Sequence, residues 1–208
     1  MPPETILAFD TSAAHCAAAL LLGDRIVLAH EEMDKGQAER LMPFLQQFLH
    51  REGITWADLT AIAVGTGPGN FTGVRISVAA ARGLALGLGI PAIGVSQLEA
   101  VAFGLPRPLT VIEDARRGEV YVQEFTTAGA GSARVISATE IGDISGAVTG
   151  SGCTGLPAAM PLAEAMVRIA AARATSSQPR PAPFYLRGAD ASPPSDPPPV
   201  ILPDPVGP

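Results

Sequence analysis

At 208 residues with 47% hydrophobic side chains, the chain has enough apolar material to bury the core of one large domain or two small ones. A net charge of −6 leaves no electrostatic footprint for a polyanion, because tight nucleic-acid binding needs clustered Lys and Arg to displace counterions. Lys35 is the sole lysine, which confines any lysine-dependent mechanism to that position. Cys16 and Cys153 lie 137 positions apart and make neither a disulfide framework nor a Cys-x-x-Cys site.

The N-terminus lacks a basic, then apolar, then small-residue leader pattern, and no run of the sequence reaches the ~18 apolar residues of a membrane span. A cytoplasmic protein without membrane contact is expected. "TILAFD" (5–10), "CAAALLLG" (16–23) and "RIVLAHEE" (25–32) are short apolar runs with tight polar or Gly-Asp breaks, which predicts a three-stranded meander. From 37 to 52, Leu41, Phe44, Leu45, Phe48 and Leu49 recur at three- and four-residue spacing opposite polar positions, the pattern of an amphipathic helix. Pro43 then predicts a start near Arg40 or a kink.

"LTAIAVG" (59–65) reads as a buried strand and 72–88 as a helix stopped by Gly89 and Pro91. That helix is apolar nearly all round and rich in small residues, so it must be covered on two sides. A strand at 91–96 and a short helix to Phe103 complete a first unit, 1–104. A second, shorter unit, 105–177, begins with the hairpin "LTVIEDARRGEVYVQEF" and is expected to add strands near 134–137 and 146–150, then a helix at 161–175. Residues 178–208 form a proline-rich tail, since from Ser176 onward eleven of 33 residues are proline; an extended or disordered segment is expected.

The candidate chemistry sits in "GTGPGNFTGVR" (65–75), a glycine-rich turn between strand and helix, the usual cradle for a phosphate. It lacks the lysine of a Walker A loop. Gly67, Gly69 and Gly73 approach a dinucleotide turn, yet the position about 20 residues on that should be acidic falls at Ile93, and Pro68 removes one amide. A packed joint with Thr72 as helix N-cap is the competing reading. Asp10, Thr11 and Ser12 follow the first strand, where a carboxylate and two hydroxyls could meet a phosphate or Mg²⁺, or could simply close a turn. His15, His30 and His50 have no metal-ligand spacing, no Gly-x-Ser-x-Gly exists, and "DARRGEVY" (114–121) reads more readily as a solvated hairpin tip than as an active site.

Taken together, "ILAFDTS", "AERLMPFLQQFL", "AIAVGTGPGNFTGVRISVAAARGLALGLGIPAIGVSQLEAVA", "DARRGEVYV" and "PAPFYLRGADA" resemble the TsaB (YeaZ) family in order and spacing, from the N-terminus to about Ala191. The resemblance implies an α/β actin-like ATPase (ASKHA) fold of two related subdomains with mixed sheets. It also implies a non-catalytic subunit that binds and activates TsaD, with TsaE, for threonylcarbamoyl transfer to the adenosine beside the tRNA anticodon. On this reading the chain has no cofactor or metal of its own, ATP and a divalent metal belong to partner subunits, tRNA is met only indirectly, and the isolated chain can self-pair as a homodimer. Asp10, Thr11, Ser12, Gly67, Gly69, Asn70 and Thr72 become a vestigial nucleotide-facing set. Helices 37–52 and 72–88 become the pairing surface, with Leu41, Phe44, Leu45, Phe48, Val74, Val78, Ala81 and Ala85 as its outward apolar positions. Where relatives read His-Ser before Glu-Arg-Leu, this chain has Gln37 and Ala38, and its second unit is short between 126 and 161. The alternative is an enzyme acting alone: an ATPase or kinase using Asp10, Thr11 and the 65–75 loop, or a peptidase of the M22 type.

Overall fold

The structure is a computed structural model describing residues 4–187. The meander forms as the broken apolar runs predict: β1 (Thr5–Asp10), β2 (His15–Leu22) and β3 (Arg25–Glu32) pair antiparallel, with Leu7 opposite Leu20 and Ala18 opposite Ala29. Then α1 (Gln37–Arg51), β4 (Ala61–Gly65), α2 (Phe71–Leu88) and β5 (Ala92–Val95) add two parallel strands, giving the order β3-β2-β1-β4-β5. Three strands of this sheet are buried along most of their length, which is why β1, β2 and β4 read as continuous apolar runs rather than as alternation.

Two boundary expectations need correction. Helix α1 begins at Gln37, with Arg40 N–H donating to Gly36 O at 2.9 Å, so Pro43 lies in its second turn rather than its first. Helix α2 begins one residue early and is capped by Asn70, whose side chain accepts from Gly73 N–H at 3.0 Å; Thr72 is exposed inside the helix and caps nothing. At 18 residues α2 is also, by length and composition alone, long and apolar enough to cross a membrane, contrary to the expectation that no segment reaches that size. Here one of its faces closes over the sheet.

After α3 (Gln97–Ala102), the hairpin β6 (Leu109–Asp114) and β7 (Glu119–Thr126), the short β8 (Gly129–Ala130), β9 (Arg134–Ser137) and β10 (Val148–Thr149) build a second sheet. Its order, β10-β6-β7 with β9 on β7, repeats β4-β1-β2-β3 of the first sheet, including the parallel pairing of β10 with β6. The two units are therefore related, as in the actin-like fold. Between β9 and β10 there is room only for a 3₁₀ segment, Ala138–Asp143, where the first unit has α1.

Helix α4 (Leu162–Arg173), which follows the second sheet in the chain, packs on the first. Its Ala163, Met166, Val167, Ile169 and Ala170 pack on Ile6, Ala8, Ala19, Ala63 and Ile93, the second face of the first sheet. Conversely Leu98 and Ala102 of α3 pack on Leu109, Val111 and Phe125 of the second. Each sheet is thus covered by a helix that the chain reaches from the other unit, and the segment after α4 returns across both. Residues 188–208, expected to be extended or disordered, lie outside the described residues.

Candidate functional site

The glycine-rich loop leaves β4 and enters α2 directly beside the β1–β2 turn, so Asp10, Thr11, Ser12, Gly67, Gly69 and Asn70 do converge. Asp10, Thr11 and Ser12 are buried, whereas Gly69 and Asn70 reach the surface. The two loops interlock. Asn70 N–H donates to Ser12 O at 2.7 Å, and Thr11 Oγ1 donates to Gly73 O at 2.7 Å. Gly67, at φ 88°, accepts from Gln97 N–H at 2.8 Å. A Cβ at Gly73 would stand 1.9 Å from Thr11 O, one at Gly69 2.8 Å from Ser12 O, and one at Gly65 1.9 Å from Asp10 Oδ2. The space the glycines provide is filled by the chain's own turn. They are required for close approach of backbone to backbone.

Asp10 is similarly engaged. Its Oδ1 accepts from Ser12 N–H at 2.8 Å and Ser12 Oγ at 2.7 Å, and His15 Nε2 lies 3.3 Å away. The aspartate closes an Asx turn, the bland alternative for this triplet. Among the described residues no group of three His, Cys, Asp or Glu side chains is placed to hold a metal ion.

Between the two units lies a cleft of about 550 Å³, lined among others by Ser12, Asn70, Gln97, Tyr121, Arg116 and Arg117. The hairpin tip expected to be a solvated turn therefore faces the glycine-rich loop. Arg116 and Arg117 both hold left-handed backbone, at φ 61° and 55°, next to Gly118 at 74°. Asp114 Oδ1 accepts from Arg116 N–H at 2.8 Å and stabilises this conformation. On the cleft floor the buried Glu113 accepts from Gln97 Nε2 at 3.0 Å, Ser151 N–H at 3.1 Å and Ser151 Oγ at 2.7 Å, tying the units together. Nothing local in the sequence marks Glu113; its partners lie 16 and 38 residues away.

The pairing surface differs most from expectation. Leu41, Phe44, Leu45, Phe48, Val74, Val78, Ala81 and Ala85 are all buried in one cluster with Leu7, Leu20, Ile62 and Val64 of the first sheet. They are this chain's own core and do not point outward. The strongest apolar face of each helix is spent on the sheet, as burial energy requires.

What α2 presents to solvent is a second stripe. Ala79, Gly83 and Gly87 recur every four residues and are exposed, and a Cβ at either glycine would meet nothing within 4 Å. Leu86 is 81% exposed and Phe71 44% exposed. The four-residue spacing of small side chains was the available signal for this face.

Arg40 of α1 holds Glu31 of β3 in a bidentate pair, Nε to Oε1 and Nη2 to Oε2, both 2.7 Å. That bond keeps the Glu31 carboxyl below its ordinary range. Burial, with a smaller contribution from Glu31, pushes the neighbouring Cys16 thiol up to about 11. Cys16 is a core thiol rather than a nucleophile.

The family described as "TsaD: tRNA N6-adenosine threonylcarbamoyltransferase" matches residues 30–189. The Escherichia coli (strain K12) protein described as "tRNA threonylcarbamoyladenosine biosynthesis protein TsaB" is 44% identical over 127 residues, 58% of this chain and 54% of that protein. The chain thus spans about half the length of this curated relative. An uncharacterized protein of Mycobacterium tuberculosis is 32% identical over 200 residues, covering 91% of this chain and 95% of the relative. Among solved structures, YeaZ from Pseudomonas aeruginosa superposes with a TM-score of 0.70 at 27% identity, over 88% of this chain and 100% of that one. A two-lobed architecture, an interlocked glycine-rich joint and these likenesses agree, and the chain belongs to the TsaB (YeaZ) family.

Proposed function

We propose that this chain is a non-catalytic subunit in the biosynthesis of threonylcarbamoyladenosine on tRNA, binding and activating TsaD through the outward stripe of α2. The observation that carries the reading is the pairing of a filled phosphate turn with an exposed apolar helix face. The loop that would cradle a phosphate is packed against Thr11 and Ser12, and a phosphoryl-transfer site needs metal-holding carboxylates and cations around the phosphates. Meanwhile Leu86 and the small stripe at Ala79, Gly83 and Gly87 leave the backbone of α2 open to close approach. Such a face suits a partner helix and would form the centre of an interface of roughly 1,200–2,000 Å². ATP and the divalent metal then belong to TsaD and TsaE, and tRNA reaches this chain through them. In the absence of TsaD a second copy can occupy the same stripe.

The test is co-purification with TsaD and a threonylcarbamoyl-transfer assay with and without the chain. Ala79→Arg and Leu86→Glu alter exposed positions, so circular dichroism should be unchanged while TsaD binding and stimulation of transfer fall. Full stimulation by both folded variants would refute the surface. One observation favours an ATPase or kinase acting alone: the cleft carries Arg116 and Arg117. That reading requires ATP hydrolysis by the isolated chain above background that disappears in Asp10→Ala.

A further inference from the structure

Helix α2 carries Arg75 and Arg82 and no acidic residue, on a chain of net charge −6. Arg75 is unusual in being exposed and yet held. Its guanidinium carbon lies 3.7 Å from the centroid of the Phe71 ring, and its Nε donates to Tyr185 Oη at 2.8 Å. The Tyr185 ring in turn packs on Phe71 with centroids 5.0 Å apart. Tyr185 is itself fixed by its neighbours in sequence. Phe184 N–H donates to Thr66 O at 2.7 Å, the Phe184 and Leu186 side chains pack on the core of the second unit, and Arg187 pairs with Glu119. The plane and reach of the Arg75 guanidinium are therefore set by contacts within the chain. Only one of its five N–H donors is used; those on Nη1 and Nη2 have no hydrogen-bond partner among the described residues.

We propose that Arg75 is a preset anchor for a carboxylate: an Asp or Glu side chain of the protein that covers α2 is received by the free fork, while its apolar side chains lie on Ala79, Gly83 and Leu86. The inference rests on the reading that this stripe meets TsaD. A planar fork with two parallel donors matches a carboxylate bidentately, and stacking on Phe71 lowers the entropy lost when the pair forms. Arginine and tyrosine are, with tryptophan, the residues enriched among interface hot spots. The surroundings favour a protein over a nucleic-acid backbone, since Phe71, Tyr185 and Leu86 are apolar and exposed, and a phosphate chain recruits a row of cations.

The experiment measures TsaD affinity of the full chain by calorimetry for the wild type, Arg75→Met, Arg75→Lys, Tyr185→Phe and Leu86→Glu. Arg75→Met keeps the apolar stem and should raise Kd roughly thirtyfold. Arg75→Lys should recover little of this, because an ammonium cannot supply the fork. Tyr185→Phe removes the orienting hydroxyl and should have a smaller effect in the same direction. Rescue of Arg75→Glu by an Asp→Arg or Glu→Arg change in TsaD would identify the partner carboxylate. If Arg75→Met binds TsaD like the wild type while Leu86→Glu does not, the anchor is wrong and the interface stands. If Leu86→Glu also binds normally, the interface reading itself fails. Unchanged TsaD affinity combined with weaker tRNA retention in Arg75→Met would overturn the proposal in favour of an RNA phosphate.

Discussion

Two alanine substitutions in one helix should have opposite signs. In Gly83→Ala the added Cβ enters open space, and replacing a helical glycine with alanine stabilises by roughly 0.5–1 kcal/mol through the entropy of the unfolded chain. In Gly73→Ala the same gain is available, but the Cβ would sit 1.9 Å from Thr11 O, where roughly 3.3 Å is an ordinary separation, so the turn must retreat by roughly 1.4 Å. Overpacking of that kind costs about 1–3 kcal/mol, and the bonds Thr11 Oγ1 to Gly73 O and Asn70 N–H to Ser12 O are worth about 1 kcal/mol each. After the helix gain is subtracted, Gly73→Ala should lose about 2–4 kcal/mol. For a chain of this size that is roughly 4–16 °C in Tm, against a rise of a few degrees for Gly83→Ala. Thermal and urea melts of the isolated chain read both changes. If Gly73→Ala is as stable as the wild type, the glycine is not held by packing against Thr11, and the argument that the phosphate turn is filled collapses.

Val78→Arg or Ala81→Arg places a charge in the closed core of the first sheet, and each should unfold the chain or cost several kcal/mol; a folded variant that merely loses its partner would contradict the core placement. Truncation after Gln178 removes Phe184 and Leu186 from the second unit's core and the bond to Thr66, and should lower stability by about 2–5 kcal/mol in denaturant melts. With its pKa raised to about 11, Cys16 holds only about 0.1% thiolate at pH 8, so a disulfide reagent should modify it no faster than the chain opens. Reaction at the rate of a free thiol would show that the β2–α1 contact is loose.

The elements themselves were legible because periodicity is local. Short apolar runs with polar or Gly-Asp breaks at 5–32 set the meander, three- and four-residue spacing at 41–49 set α1, and Gly89 and Pro91 set the end of α2. Which partner each face would meet was not local. The apolar residues of α1 and α2 were equally compatible with an outward or an inward role, and the sheet claimed them because β1, β2 and β4 offered the apolar area to bury. Helix α4 was legible as a helix near 161–175, yet only the tertiary path placed its apolar face on the first sheet instead of the second. The glycine-rich loop was visible as a loop, but whether its space was for a phosphate or for the β1–β2 turn depended on Thr11 and Ser12, some 60 residues earlier. Arg75 shows the same division. Composition made it a cation near a helix start, and it became an oriented fork only when the chain returned 110 residues later to set Tyr185 against it.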